Sequence, residues 1–490
     1  MITVEQTSVC SLGFSRGSFR LRLKPSLQAK ACSTALVILL AGCTLGPNYH
    51  RPEVPAPPQF RGADTATSES LADTKWFDIF QDEVLKQLVT TALEQNHDVR
   101  IAADRVIEAQ SEWKLQRSQL FPVVNGSASF DANKVSKIGA SRLPPGFNFD
   151  SSYTQAGLGV SWQIDLFGRL RRLNEAARAQ FLASEEARRG VVTTLIADVI
   201  TQYIALRELD AELDIAHKTR DIAENGLRLT TLRKNRGAAT GLDVHQAEQL
   251  LYTATSQIAA IEREIFQAEN ALNLLLGNNP GEIQRGKSLT DLKPPPEVPA
   301  GLPSALLDRR PDIRQAEETL VASNANIGAA KALAFPQISL TSFLGYQSRA
   351  LSNLFTLPAR SWSFVPASLT QPIFTAGAIR NGIRLTEAQQ NEALENYSKT
   401  IQTAFREVSD ALIGYRQNSE QRTQQELLVN ALRDTERLST LRYRGGLDSY
   451  LQVLDAERNL FQGQLLLAQL GREELLSIVQ LYRALGGGWQ

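Results

Sequence analysis

The sequence predicts a mainly α fold with a small transmembrane β part, written as two internal structural repeats. Three observations carry this. Residues 169–235 form one helical pattern that no proline interrupts. Short segments with strict alternation follow a Phe-Pro step in each half of the chain. The order of these features is the same in both halves.

The first 42 residues read as a secretion signal. Arg16, Arg20, Arg22, Lys24 and Lys30 are a basic start, and Ala31 to Leu40 is an apolar run too short to span a bilayer. Leu40-Ala41-Gly42-Cys43 then resembles the lipobox of bacterial lipoproteins, in which the cysteine is acylated and becomes the first residue; the alternative is a plain signal peptide that happens to hold a cysteine. Thr44 follows in place of an aspartate, which by the lipoprotein rule implies the outer membrane. Of three cysteines, Cys10 and Cys32 leave with the signal, so the mature chain can form no internal disulfide. It keeps 47 basic and 51 acidic residues, a net of about −4, and nothing points to nucleic acid as a partner. Residues 43–73 hold Pro47, Pro52, Pro55, Pro57 and Pro58 and read as an extended, lipid-anchored tether.

The first repeat, 74–277, begins with helices that stop at Phe121-Pro122. Strands are expected at 123–131 and 153–165. Val124, Ala128 and Phe130, then Ala156, Leu158, Val160, Trp162 and Ile164, alternate with Asn125, Ser127, Ser129, Gly157, Gly159 and Ser161. The long helix 169–235 carries Val192, Leu195, Val199, Gln202, Leu206, Leu209, Leu213 and Ala216 at a three-four step, the seam of a coiled-coil-like rod. At 1.5 Å per residue it is roughly 100 Å long. A turn from Arg236-Gly237 to Asp243 leads into a return helix. A Pro/Gly-rich link covers 278–310.

The second repeat, 311–490, has its strands at 336–346 and 361–371, with Ile338, Leu340, Val365, Ala367 and Leu369 apolar. Its rod covers 378–443, and its seam includes Phe405, Val408, Leu412 and Tyr415. The turn is Arg444-Gly445-Gly446-Leu447-Asp448, and Gly486-Gly487-Gly488 stops the last helix. Matching positions lie 214 residues apart before the strands and 208 or 209 apart at the turns.

Segments of about ten residues with one apolar face suit a transmembrane barrel wall or a soluble sandwich with one wet face. In lipid a barrel cannot keep open edges, and four strands cannot close. Eight strands leave an interior filled by side chains, and more strands leave a channel. Three chains would supply twelve strands and a watery bore. The expected assembly is a trimeric twelve-stranded barrel continuing into a long periplasmic helical tube.

The motifs themselves carry a resemblance. Cys43 with Gly46-Pro47-Asn48-Tyr49, the duplicated Phe-Pro strands, Gln163-Ile164-Asp165-Leu166-Phe167-Gly168-Arg169, Gln371-Pro372-Ile373-Phe374, the run from Tyr443 to Leu451 and Ala484-Leu485-Gly486-Gly487-Gly488-Trp489 are similar to the outer-membrane factor (TolC-like) family, in its branch of NodT-type efflux lipoproteins. The resemblance covers Cys43 to Trp489. It implies a homotrimeric channel-tunnel in the outer membrane, docked by a periplasmic adaptor (a membrane fusion protein) and an inner-membrane RND pump, and passing drugs and other small toxic molecules. It implies lipidation at Cys43, adaptor-docking tips at Arg236, Gly237, Arg444, Gly445 and Leu447, and a periplasmic gate at Leu451, Asp455 and Arg458.

Each implied site has a plainer reading from its residues. Glycines at Gly237 and Gly445 suffice for a sharp reversal between antiparallel helices. Leu451, Asp455 and Arg458 share one helix face, which fits an ordinary solvated ion pair. The first repeat places Leu242, Gln246 and Gln249 there, without the charges. His50, His97, His217 and His245 have no ligand spacing, so no metal or other cofactor is expected. There is no phosphate loop and no nucleophile elbow, so the chain is not expected to be an enzyme. Two alternatives to an efflux duct remain: the exit duct of a type I secretion system, and a structural coiled-coil lipoprotein.

Overall fold

A computed structural model describes residues 44–62, 70–73, 76–136, 138, 146, 150–292, 299 and 301–488. The signal, Cys43, the triple proline 294–296 and Trp489 lie outside the described residues. The first repeat runs α1 (Trp76–Phe80), α2 (Glu83–Gln95), α3 (His97–Ser118), β1 (Val123–Lys134), β2 (Asp150–Ile164), α4 (Arg169–Asn235) and α5 (Gly241–Leu275). The second runs α6 (Pro303–Arg309), α7 (Pro311–Ala332), β3 (Gln337–Ser348), β4 (Arg360–Thr370), α8 (Ala378–Arg444) and α9 (Tyr450–Ala484). The chain is mostly helical with one small sheet.

The duplication is close to residue-perfect in the helices. Both α4 and α8 have 67 residues, both α5 and α9 have 35, and both α3 and α7 have 22. The spacing between repeats is 214 residues up to the strands and a constant 209 from the long helices onward. Gly168 (φ 79°) and Gly377 (φ 85°) each turn the chain into a long helix. Asn96 and Arg310 occupy matching positions and do the same job with different chemistry. The Asn96 amide donates to the Leu275 carbonyl at the end of α5, and the Arg310 guanidinium donates to the Ala484 carbonyl at the end of α9.

Helix contacts give the order around the wall. On the strand side it is α3-α4-α7-α8, and beyond the middle it is α5-α4-α9-α8. A helix inside such a layer has neighbours on both flanks, and one seam is not enough. The core accordingly adds Ile196, Ile200, Tyr203 and Ile204 to the Leu195, Val199 and Leu206 of the expected seam. Leu85 and Val89 of α2 are fully buried in the same core, which sits halfway along α4.

The sheet is antiparallel throughout, ordered β1-β2-β3-β4, with β1 and β4 at open edges. Register places Val124, Phe130, Leu158, Trp162, Ile338, Leu344 and Tyr346 on one face. The second hairpin departs from the expected pattern. A register shift opposite Leu340 falls at Pro366, which has no N–H for the ladder. The bulge moves Val365 to the polar face, beside Thr341, while Leu369 stays on the apolar face opposite Ile338. Trp362 and Phe364 take the apolar positions instead, opposite Leu344 and Ser342.

Residues 44–62 are extended, as their prolines demand, but they are not a free spacer. The buried Arg172 side chain donates to the Leu45 and Gly46 carbonyls and to the Asn48 amide oxygen. Gly46 passes so close to Gly328 that a Cβ on it would stand 2.4 Å from the Gly328 Cα. Tyr49 donates to Glu317, Arg51 pairs with Asp308 and Glu317, and Phe60 is buried against Phe405. The segment is a strap laid along α4, α7 and α8.

Candidate functional site

The far ends of the rods form two tips. At the first, Arg236 is the last capping residue of α4, and Gly237 turns left-handed with φ 75°. The Gly237 N–H donates to Lys234 O and the Ala238 N–H to Arg233 O, at 2.9 and 2.8 Å. This pair of bonds satisfies helix-end carbonyls and requires a residue that tolerates positive φ. The return helix α5 then starts on a reciprocal cap: the Thr240 hydroxyl accepts from Asp243 N–H, and the Asp243 carboxylate accepts from Thr240 N–H.

The second tip repeats the backbone with the glycines displaced by one. Arg444 ends α8, Gly445 is its cap with φ −75°, and Gly446 is the left-handed residue with φ 73°. Gly446 N–H donates to Tyr443 O and Leu447 N–H to Arg442 O. Gly445, expected to make the reversal, therefore does not; Gly446 does. The constant spacing of 209 aligns Gly237 with Gly446 and Arg236 with Gly445, and reading that spacing from α4 and α8 would have found it. Ser449 caps α9 without a side-chain bond, while Asp448 pairs with Arg442 across the turn. Leu447 projects into solvent.

Behind the tips an aromatic cluster joins the rods. Tyr443 and Tyr450 pack at 5.3 Å with Ala247 and Val453. Arg233 of α4 lies over the Tyr443 ring at 4.5 Å. In the first repeat the corresponding positions are Lys234 and Gly241, so the cluster has no counterpart there.

One turn into α9 lie the three expected gate residues. Leu451 is exposed, and Arg458 Nη2 meets Asp455 Oδ1 at 3.2 Å with both side chains in solvent. Asn459 also donates to Asp455. Within one chain Leu451, Asp455 and Arg458 therefore share one exposed face. Turned inward between them is Glu457, buried, with Oε2 lacking a partner among the described residues. Burial, and then the nearby Glu436, push its carboxyl up to about 7. The Tyr450 hydroxyl close by is buried without a partner too, and its ionisation is pushed well above the usual range by burial and by Glu457. Neither residue stood out in the sequence, because a lone glutamate on a charged helix carries no signal of burial.

At the other end, the polar face of the sheet holds Asn125, Ser127, Gly159, Ser161, Ser339 and Thr341. Tyr153 and Phe343 are the rings that β2 and β3 place on this face, and Phe343 lies over the paired glycines Gly157 and Gly345. A Cβ on Gly157 would stand 2.7 Å from the ring and 2.6 Å from the Gly345 backbone. Among the described residues, no group of three or more His, Cys, Asp or Glu side chains is placed to hold a metal ion.

Comparison with known proteins agrees with this architecture. Residues 88–278 and 302–487 match the family described as outer membrane efflux protein. The toluene efflux pump outer membrane protein TtgI of Pseudomonas putida is 39% identical over 474 residues, covering 94% of this chain and 99% of the relative. The cation efflux system protein CusC of Escherichia coli O6:H1 is 36% identical over 464 residues, covering 93% and 98%. The open state of the Neisseria gonorrhoeae MtrE outer membrane channel superposes with a TM-score of 0.82 at 31% identity, covering 91% of this chain and 99% of that one. With both repeats matched and 94% of the chain shared with a relative, the chain belongs to the outer membrane efflux protein family.

Proposed function

We propose that this protein is the outer-membrane duct of a tripartite efflux pump, a homotrimer whose three sheets close a twelve-stranded barrel and whose rods form a periplasmic tube. The observation that carries the reading is a four-stranded sheet with two open edges and an exposed apolar face, joined end-on to helices of roughly 100 Å. The free flanks of the helical layer support it. Tyr252, Phe266 and Leu274 on α5, and Leu427, Leu438 and Leu441 on α8, are exposed apolar side chains.

The duct is passive, and a partner supplies the energy. A periplasmic adaptor meets the tips at Arg236, Gly237, Arg444, Gly445, Gly446 and Leu447, and an inner-membrane pump of the RND type selects the cargo. That cargo is small and toxic, in line with the toluene and cation efflux named for two relatives. Leu451, Asp455 and Arg458 narrow the periplasmic mouth. Lipid on Cys43 fits the position of Thr44, which packs on Gly168 where β2 gives way to α4.

Mass measurement in mild detergent tests the assembly: a particle three times the chain mass is expected, and a folded monomer would overturn the reading. Purified protein should also conduct ions across planar bilayers, which a structural tether would not do. Cys43→Ser should abolish labelling by radioactive palmitate; retained label would refute the anchor.

A further inference from the structure

We propose that the second hairpin loop, residues 349–359, is a lipid-binding paddle that lies in the outer leaflet and holds phosphate-bearing headgroups. The inference rests on the barrel reading above. The loop joins β3 to β4 at the ends farthest from the helices, so in a barrel it stands at the extracellular rim.

Its backbone is built rather than slack. Two single turns, Leu351–Asn353 and Leu357–Ala359, are closed by main-chain bonds such as Leu354 N–H to Leu351 O and Ala359 N–H to Thr356 O. Leu354 and Ala359 are buried inside it. That fixed shape holds Leu351, Phe355 and Leu357 outward, 73%, 76% and 84% exposed. A soluble rim would not order a loop in order to show water three large apolar side chains.

The direction of the loop identifies what covers it. Phe355 packs on Tyr346 with ring centres 5.6 Å apart. Tyr346 is in register with Ala156 and Arg360, on the apolar face with Leu344 and Trp362. The loop therefore leans over the lipid-facing side and extends its apolar band, away from the bore. Aromatic and aliphatic residues at that level suit the boundary between acyl chains and headgroups. Charge supplies the rest. The segment from Arg349 to Arg360 contains no acidic residue and has an arginine at each end. Arg360 shares the apolar face through its pairing with Tyr346. Guanidinium forks at the edge of an apolar band match phosphate geometry.

The test uses the full-length protein in vesicles, with a fluorophore on Leu357→Cys and, separately, on Leu158→Cys in the middle of the apolar face. Vesicles of phosphatidylcholine carry 30% of either nitroxide-labelled phosphatidylglycerol or nitroxide-labelled phosphatidylcholine. We expect lipid nitroxide to quench both sites. At 357 the phosphatidylglycerol label should quench about twice as strongly. Arg349→Gln with Arg360→Gln should bring that ratio to one while leaving Leu158→Cys unchanged. Quenching at 158 with iodide-accessible, lipid-insensitive label at 357 would overturn the paddle alone; a surface for a protein or for bulk water would behave this way. Equal quenching by both lipids at 357 would overturn headgroup recognition. Loss of lipid quenching at 158 as well would instead overturn the barrel.

Discussion

The two tips share one backbone and differ in what locks it. At the first, the lock is local: a left-handed Gly237, a reciprocal Thr240–Asp243 cap and an exposed His245–Glu248 pair. At the second, the side-chain cap is missing, and beside a local Arg442–Asp448 pair the lock is tertiary: a Tyr443–Tyr450 stack, Arg233 reaching across from the other rod, and a buried Glu457. Glu248 and Glu457 are equivalent in the repeat, yet one is paired at the surface and the other is buried short of a partner. A locally capped tip is stable by itself. A tip that depends on burial of an ionisable group is poised to change, and this is the tip that carries Leu451, Asp455 and Arg458.

The largest expected effect tests that asymmetry directly. Glu457 has its carboxyl raised from the ordinary 4.5 to about 7, so the neutral form favours the packed tip. Its contribution is fully present below pH 4.5 and is lost as pH rises through 7, on the order of 3 kcal/mol in all. Glu457→Gln should flatten this part of the pH profile of thermal unfolding, and Glu248→Gln should not. Matching profiles for wild type and Glu457→Gln would erase the distinction between the tips.

Next come the turn glycines. Gly446→Ala forces a Cβ into the left-handed region and should cost about 1 kcal/mol, as should Gly237→Ala. Gly445→Ala, at φ −75°, should cost close to nothing. Amide exchange at positions 446 and 447, the donors of the turn, reads this, and equal losses for Gly445→Ala and Gly446→Ala would contradict the observed turn. Similar in size, Thr240→Ala should loosen the start of α5 by about 1 kcal/mol, while Ser449→Ala leaves α9 unchanged.

The smallest effect on stability should come from Asp455→Ala with Arg458→Ala, since an exposed pair contributes roughly 0–1 kcal/mol. Its effect belongs in conductance, which should rise in planar bilayers. Gln246→Ala with Gln249→Ala should leave conductance as it was. A rise in both variants would show that the two tips gate alike.

Much of this was legible because the signals are periodic and local. Proline-free heptads from 169 to 235 dictate a rod, and glycines at both its ends dictate its limits. Alternation from Tyr153 to Ile164 dictates a strand with two unlike faces. What escaped has a physical reason in each case. Val365 alternates correctly with Leu369 on paper, but the missing N–H of Pro366 opens a bulge that reverses the face. Gly445 and Gly446 are adjacent and chemically identical, and their hydrogen bonds and the 209-residue spacing of the rods choose between them, not the residue type. Residues 44–62 look like a spacer because proline fixes extension without saying what lies alongside.

By itself, then, the sequence determined the elements, their duplication and their unlike faces, since these follow from steric preference and periodicity along the chain. Tertiary structure alone decided that Arg172 pins the strap, that Phe343 lies over Gly157 and Gly345, and that Glu457 is buried while Glu248 is not. Those outcomes depend on neighbours far apart in sequence, and desolvation and close approach exist only once such neighbours have met.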